Sequence, residues 1–256
     1  MMQLSKKMES LLRSLYTRKG RKKTGLCICE GLRACSEVLQ TCPEIIEFAV
    51  LDSSFHELEE LLIDTSFESF SVNTSKMNSL SATVNSQGIM LALRRPKTID
   101  ITSEVTEPFV FVLDQVADPG NFGTMLRTAK SVGLTELWFT SGSVDPYNDK
   151  VIRSAMGAQF SMTLREFSNL ETLKEFLLEN DYNKIYRTTP HNGVSCFKEP
   201  KLFDKSAIII GNEANGVGPL DGSCDLIIPM PGGYESINAA QAATVILFEY
   251  VRRVMG

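Results

Sequence analysis

A chain of 256 residues with 43% apolar and 22% charged side chains has the makeup of an ordinary globular protein, long enough for one large or two smaller cores. No run approaches the roughly 18 consecutive apolar residues of a membrane helix and the N-terminus has no signal-peptide core, so no membrane partner and a cytoplasmic location are expected. Six cysteines (Cys27, Cys29, Cys35, Cys42, Cys196, Cys224) form no C-x-x-C pair and only His56 and His191 stand beside them, which favours reduced thiols and no metal. The net charge of −5 is unevenly placed. Residues 1–33 carry Lys6, Lys7, Arg13, Arg18, Lys19, Arg21, Lys22, Lys23 and Arg33 against Glu9 and Glu30, a net +7 that leaves −12 for the rest. Such an arm is either a phosphate-binding footprint or a solvated helix face.

In chain order, Leu4, Met8, Leu11, Leu12 and Leu15 share one face and predict a helix over 1–18. Lys19-Gly20-Arg21-Lys22-Lys23 reads as a turn into a strand from Gly25 to Cys29, and Glu30-Gly31 opens a helix through Gln40. A strand from Ile45 to Leu51 and a helix over Glu57–Ile63 follow. The Ser/Asn-rich zone 66–86 carries no clear period, and Ile89–Leu93 is a last strand before a polar linker over 98–107. Residues 1–97 thus alternate α and β as a small layered domain.

Beyond the linker the alternation is cleaner. Strands are predicted at Phe109–Asp114, Glu136–Thr140, Ser161–Leu164, Lys184–Arg187, Ala207–Ile210 and Asp225–Ile228. Helices are predicted at Phe122–Val132, Lys150–Ala158, Leu170–Glu179 and Ile237–Arg253. Apolar strands separated by helices imply a parallel sheet covered on both faces, in an α/β domain spanning 108–256. Ile237, Ala240, Thr244, Leu247 and Val251 form the stripe of the last helix, with Ser236 as its natural N-cap.

Three loops follow carboxyl ends of apolar strands: Asp118-Pro119-Gly120-Asn121-Phe122-Gly123, then Gly211-Asn212-Glu213-Ala214-Asn215-Gly216, then Pro229 to Asn238. Ligands of open α/β sheets bind outside those ends, so the three can line one crevice. The first loop has only Gly120-x-x-Gly123 where a dinucleotide fold needs G-x-G-x-x-G. Neither G-x-x-x-x-G-K-[ST], G-x-S-x-G nor H-E-x-x-H occurs, so no motif supports an NTPase, an α/β-hydrolase or a zinc peptidase.

Asn121-x-Gly123-x-x-x-Arg127-Thr128-Ala129, Gly211-Asn212-Glu213-x-x-Gly216 and Ile228-Pro229-Met230-x-Gly232-x-x-Glu235-Ser236-Ile237-Asn238 resemble, in order and spacing, the three motifs of the SpoU (TrmH-type) RNA ribose methyltransferases. Lys150 to Ala158 is similar to the family's connecting helix. Arg21-Lys22-Lys23-Thr24-Gly25 and Glu30-Gly31-Leu32-Arg33 resemble its N-terminal, ribosomal-protein-like substrate-binding domain. Ile237 stands where leucine is usual, and Val217-Gly218 follows the second motif, with the polar positions intact. The resemblance implies a C-terminal trefoil-knotted (SPOUT) domain, a homodimer and S-adenosylmethionine as cofactor. Backbone around Thr188, Gly211, Ile228, Met230 and Ile237 would cradle it. Backbone donors at strand ends and an apolar wall also suit adenine and methionine better than phosphates.

The resemblance further implies Asn121, Arg127, Glu213, Ser236 and Asn238 near the reacting ribose, RNA phosphates on Lys19, Arg21, Lys22, Lys23 and Arg33, and Arg153 reaching RNA from a partner subunit. The position of Arg127 is proposed in the family as a general base. Because arginine does not give up its proton in proteins, the expectation here is that Arg127 holds a phosphate or a developing alkoxide, with Glu213, Asn121 and Asn238 fixing its orientation. The expected activity is methyl transfer to a ribose 2′-hydroxyl of ribosomal RNA. A tRNA ribose methyltransferase, a non-catalytic RNA-binding assembly factor and a small-molecule α/β enzyme are the alternatives.

Overall fold

The computed structural model describes residues 2–55, 57, 62, 66–96, 104–233 and 235–256. His56, most of the predicted helix over 57–63 and most of the predicted linker therefore lie outside the described residues. The chain forms two compact units, Met1–Lys97 with Asp145–Ser161, and Thr98–Val144 with Met162–Gly256.

The first unit holds strands β1 (Met2–Gln3), β2 (Leu26–Glu30), β3 (Ile46–Asp52), β4 (Glu68–Val72) and β5 (Ile89–Arg94), in the order β1-β4-β3-β5-β2. β5 runs antiparallel to both β3 and β2, while β3, β4 and β1 run parallel. Helices α1 (Lys6–Leu15), α2 (Arg18–Thr24), α3 (Leu32–Thr41) and α4 (Thr74–Leu80) accompany them. Leu12 and Leu15 of α1 and Met77 and Leu80 of α4 bury themselves with Phe48, Val50, Phe70 and Met90. The Ser/Asn-rich zone contains β4 and α4, the latter started by Asn73, whose side chain accepts from Lys76 N at 2.9 Å.

The basic turn expected at 19–23 is instead a helix. Thr17 caps its start by accepting from Gly20 N at 3.0 Å, and Gly25 ends it at φ 70°. A Cβ on Gly20 would lie 2.0 Å from the Ser14 carbonyl oxygen, so only glycine lets α2 close on the end of α1.

The second unit is built on seven strands, β6 (Phe109–Leu113), β7 (Glu136–Thr140), β8 (Thr163–Phe167), β9 (Lys184–Thr188), β10 (Val194–Ser195), β11 (Ser206–Ile210) and β12 (Cys224–Ile227). Their order is β10-β12-β9-β11-β6-β7-β8 and every pairing is parallel. The central strands β6 and β11 are buried throughout, as covering on both faces demands. Val110 and Val112 of β6 join Leu173 and Leu177 of α7 (Leu170–Glu179) in one core, while Phe109, of opposite parity, packs at a tilt of 59° against Tyr250 of α8 (Ala239–Met255) with ring centroids 4.9 Å apart. The end of the predicted linker belongs to this unit. Val105 enters the same core, and the buried carboxylate of Glu107 accepts from Thr135 Oγ1 at 2.6 Å and Glu136 N at 3.0 Å.

The segment 145–161, assigned from sequence to the second domain, packs with the first unit. It carries α6 (Asp149–Ala155), whose Val151, Ile152 and Ala155 are buried. Two ion pairs tie it down, Asp145 with Arg21 at 2.8 Å and Arg153 with Glu30 at 3.7 Å.

Candidate active site

Two helix starts and two loops converge beyond the carboxyl ends of β9, β11 and β12. Helix α5 (Pro119–Ser131) begins earlier than the sequence suggested: Asp118 is its N-cap, accepting from Asn121 N at 2.7 Å, and Pro119 fits the first turn because no amide hydrogen is needed there. Asn121 and Gly123 thus sit inside a helix rather than in a loop. The last helix starts later than expected, and its cap is Asn238 rather than Ser236. The Oδ1 of Asn238 accepts from Ala240 N at 2.9 Å and Gln241 N at 3.3 Å.

The side-chain nitrogen of that cap matters as much as its oxygen. Asn238 Nδ2 donates to Asn121 Oδ1 at 3.1 Å, and Asn121 Nδ2 donates to Glu213 Oε1 at 2.5 Å. Three residues from three separate motifs therefore form one hydrogen-bonded chain. They bond to one another and not to Arg127, whose exposed guanidinium has no protein partner among the described residues, so the expectation that they orient Arg127 directly is not met.

The loop carrying Glu213 is shaped by glycine. A Cβ on Gly211 would fall 2.1 Å from the carbonyl carbon of Gly216, and Gly216 itself has φ 64°. Asn212 pins the loop by donating to Gln115 O at 2.9 Å and accepting from Ala214 N at 2.8 Å.

The segments after β9, β11 and β12 and the start of α8 line a cavity of about 780 Å³. Thr188, Gly211, Ile228, Met230 and Ile237, the five residues read as a cofactor cradle, all line it, as do Glu213, Ser236 and Asn238. Asn121 reaches it through Glu213 and Asn238, and Arg127 is not among the lining residues. The sequence reading passed over Arg187 and Asp225, which pair at 2.6 Å in the cavity wall; a charged residue directly before Thr188 at a strand end was the available signal.

The basic residues divide. Lys19, Lys22, Lys23 and Arg33 are exposed on the first unit. Arg21 is 2% exposed; it donates to Asp145 and to the Leu15 carbonyl, so it cannot also meet a phosphate. Arg153, with a side chain one quarter exposed, lies between Asp149 at 3.0 Å and Glu30 at 3.7 Å.

A cavity of this size at the carboxyl ends of a parallel sheet, where Ile228, Met230 and Ile237 stand beside the amides of Asn212 and Asn238 and the carboxylates of Glu213, Asp225 and Glu235, is where an α/β domain binds a small ligand. The chain belongs to the SpoU rRNA Methylase family, whose sequence pattern matches residues 108–248, and residues 10–91 match the MRM3-like substrate binding domain. It is an RNA methyltransferase of that family. The chain is 28% identical over 239 residues to the 23S rRNA (guanosine(2553)-2′-O)-methyltransferase RlmP of Bacillus subtilis (strain 168), covering 92% of each. A putative RNA methyltransferase of the TrmH family from Porphyromonas gingivalis superposes with a TM-score of 0.81 at 27% identity, over 98% of this chain and 99% of that one. The SpoU methyltransferase AviRb from Streptomyces viridochromogenes, solved in complex with AdoMet, shares the fold with a TM-score of 0.83 at 23% identity over 99% of both chains.

Proposed function

We infer that this protein transfers a methyl group from S-adenosylmethionine to a ribose 2′-hydroxyl of ribosomal RNA. The observation that carries the reading is the convergence of the second and third motifs on one cavity, with Asn121 of the first motif hydrogen-bonded to Glu213 and Asn238 in its lining. The walls fit the cofactor. The backbone-to-backbone approach at Gly211 leaves no room for a side chain, and Ile228, Met230 and Ile237 offer apolar surface to a purine and a thioether. When bound, S-adenosylmethionine supplies an electrophilic methyl group on a sulfonium centre. The protein's part is to fix the ribose in line with it, and such positioning accounts for a large share of the barrier.

The fork of Arg127 suits the phosphate beside the target ribose. Lys19, Lys22, Lys23 and Arg33 hold the RNA backbone, and such contacts carry affinity rather than sequence information. The same reading gives the second unit the family's trefoil knot. It also gives the chain a homodimeric state, in which the exposed Phe248, Val254 and Met255 of α8 would be covered. No disulfide joins the six cysteines among the described residues, which supports work in the reducing cytoplasm.

The deciding experiment is transfer of labelled methyl to total rRNA and, separately, to total tRNA from cells lacking this gene, with Arg127→Ala as control. The expected result is 2′-O-methylnucleoside in the rRNA pool, lost with the variant. Label in tRNA alone would move the substrate, and no binding of S-adenosylmethionine would end the methyltransferase reading.

A further inference from the structure

We propose that Glu213 accepts the proton that leaves the ribose 2′-hydroxyl. The assignment rests on the methyltransferase reading and adds the group that this reading lacks. A hydroxyl that gains a methyl must lose its hydrogen, and the guanidinium of Arg127 cannot take it.

The hydrogen-bond chain fixes how Glu213 is held. Amide orientations are set by their partners, and here the setting begins at backbone N–H groups, which can only donate. Ala240 N and Gln241 N oblige Asn238 to present its oxygen to the helix. Its nitrogen then faces Asn121, which must answer with Oδ1 and turn its own nitrogen outward. Glu213 receives that N–H on Oε1 and so serves as an acceptor. Its second oxygen, Oε2, has no hydrogen-bond partner among the described residues, and the residue lines the cavity. The start of α8 thus delivers, through two amides, a carboxylate with one oxygen held and one free.

The other carboxylates of the cavity are placed differently. Asp225 is engaged by Arg187 at 2.6 Å, and Glu235 has no hydrogen bond to Asn121 or Asn238 among the described residues. In the step itself the 2′-oxygen forms a bond to the methyl carbon as the carbon–sulfur bond breaks. The bonding pair stays on sulfur, which becomes a neutral thioether. The O–H pair stays on the 2′-oxygen, and the proton passes to Glu213 Oε2 and from there to water.

The test is single-turnover transfer of labelled methyl from S-adenosylmethionine to rRNA from cells lacking the gene. It compares the unaltered protein with Glu213→Gln and with Glu213→Ala in the presence and absence of formate, and calorimetry of S-adenosylmethionine binding is run on each. Glutamine keeps the shape and the acceptor for Asn121 but cannot take a proton. General-base catalysis is worth about 10²- to 10⁴-fold, so Glu213→Gln should lose that much in rate while cofactor affinity changes by less than about threefold. Formate should restore Glu213→Ala in proportion to its concentration, a rescue that a merely structural glutamate would not show. A Glu213→Gln rate within about fivefold of the unaltered protein would overturn the assignment, because a removed base costs more than that. So would abolition by His191→Gln with Glu213→Gln unaffected, which would move the role to the imidazole in the cavity wall. No cofactor binding by the unaltered protein would overturn the methyltransferase reading and this assignment together, so the two failures are distinguishable.

Discussion

Asn238 does two jobs with one side chain, and two substitutions separate them. Its oxygen caps α8, and its nitrogen passes a hydrogen bond to Asn121. Asn238→Asp keeps an acceptor at the cap and puts a negative charge at the positive end of the helix, but it removes the donor. Thermal denaturation should therefore show a melting temperature equal to or above that of the unaltered protein, while methyl transfer falls. Asn238→Ala should lose both, with about 1 kcal/mol of stability gone with the cap. The residue types and spacings at this site were legible in the sequence, and the bonding among them was not. Ser236 looks as good a cap as Asn238 on propensity, and only the backbone decides which of two polar residues, two positions apart, meets the free N–H groups. Arg21 failed as an RNA contact for a related reason. A basic run in sequence does not reveal that every third or fourth member of a helix faces inward, nor that Asp145 waits there.

At the scale of elements, α2 shows both the failure and what survives it. Gly20 amid lysines reads as a turn, since glycine is poor in helices and the run has no apolar period. Tertiary packing reverses that, because α2 needs glycine where it meets α1. Lys19, Lys22 and Lys23, at helical spacing with exposed side chains, nonetheless present charge together. Replacing all three with glutamine should weaken RNA binding across sequences. It should also make the slope of log K against log salt shallower by about 0.7–0.9 for each phosphate no longer neutralised, measured by filter binding over a salt series.

The far end of α8 gives a pH prediction. Glu249 is buried and held by Arg252, then Arg253, with its carboxyl drawn down to about 2. Its folded-state value lies below the ordinary one of 4.5, so the stabilisation is complete above that value and is lost as pH falls toward 2. Glu249→Gln should melt lower than the unaltered protein at pH 7, with the gap closing between about pH 4.5 and 2 in a thermal series.

For the whole molecule, the sequence disclosed two layered α/β units and an all-parallel second sheet, because apolar strands alternating with helices have few other solutions. It did not disclose that the chain returns to the first unit after entering the second. Residues 145–161 sit in the middle of the methyltransferase pattern, and nothing in their composition says which core they join. Their burial is substantial: Val151, Ile152, Ala155 and Ala158 are at most 2% exposed, and Asp145 and Arg153 find their opposite charges on Arg21 and Glu30. A fragment spanning 98–256 would contain every methyltransferase motif yet leave Val151, Ile152 and Ala155 without the unit against which they pack. The fragment should therefore expose apolar surface to a reporter dye and lose amide-exchange protection at 149–155. The full chain should keep both the protection and a cooperative transition. Equal melting temperature and equal protection in the fragment would mean that the second unit supports 145–161 without the first. The boundary read from sequence at residue 108 would then also be the boundary of folding.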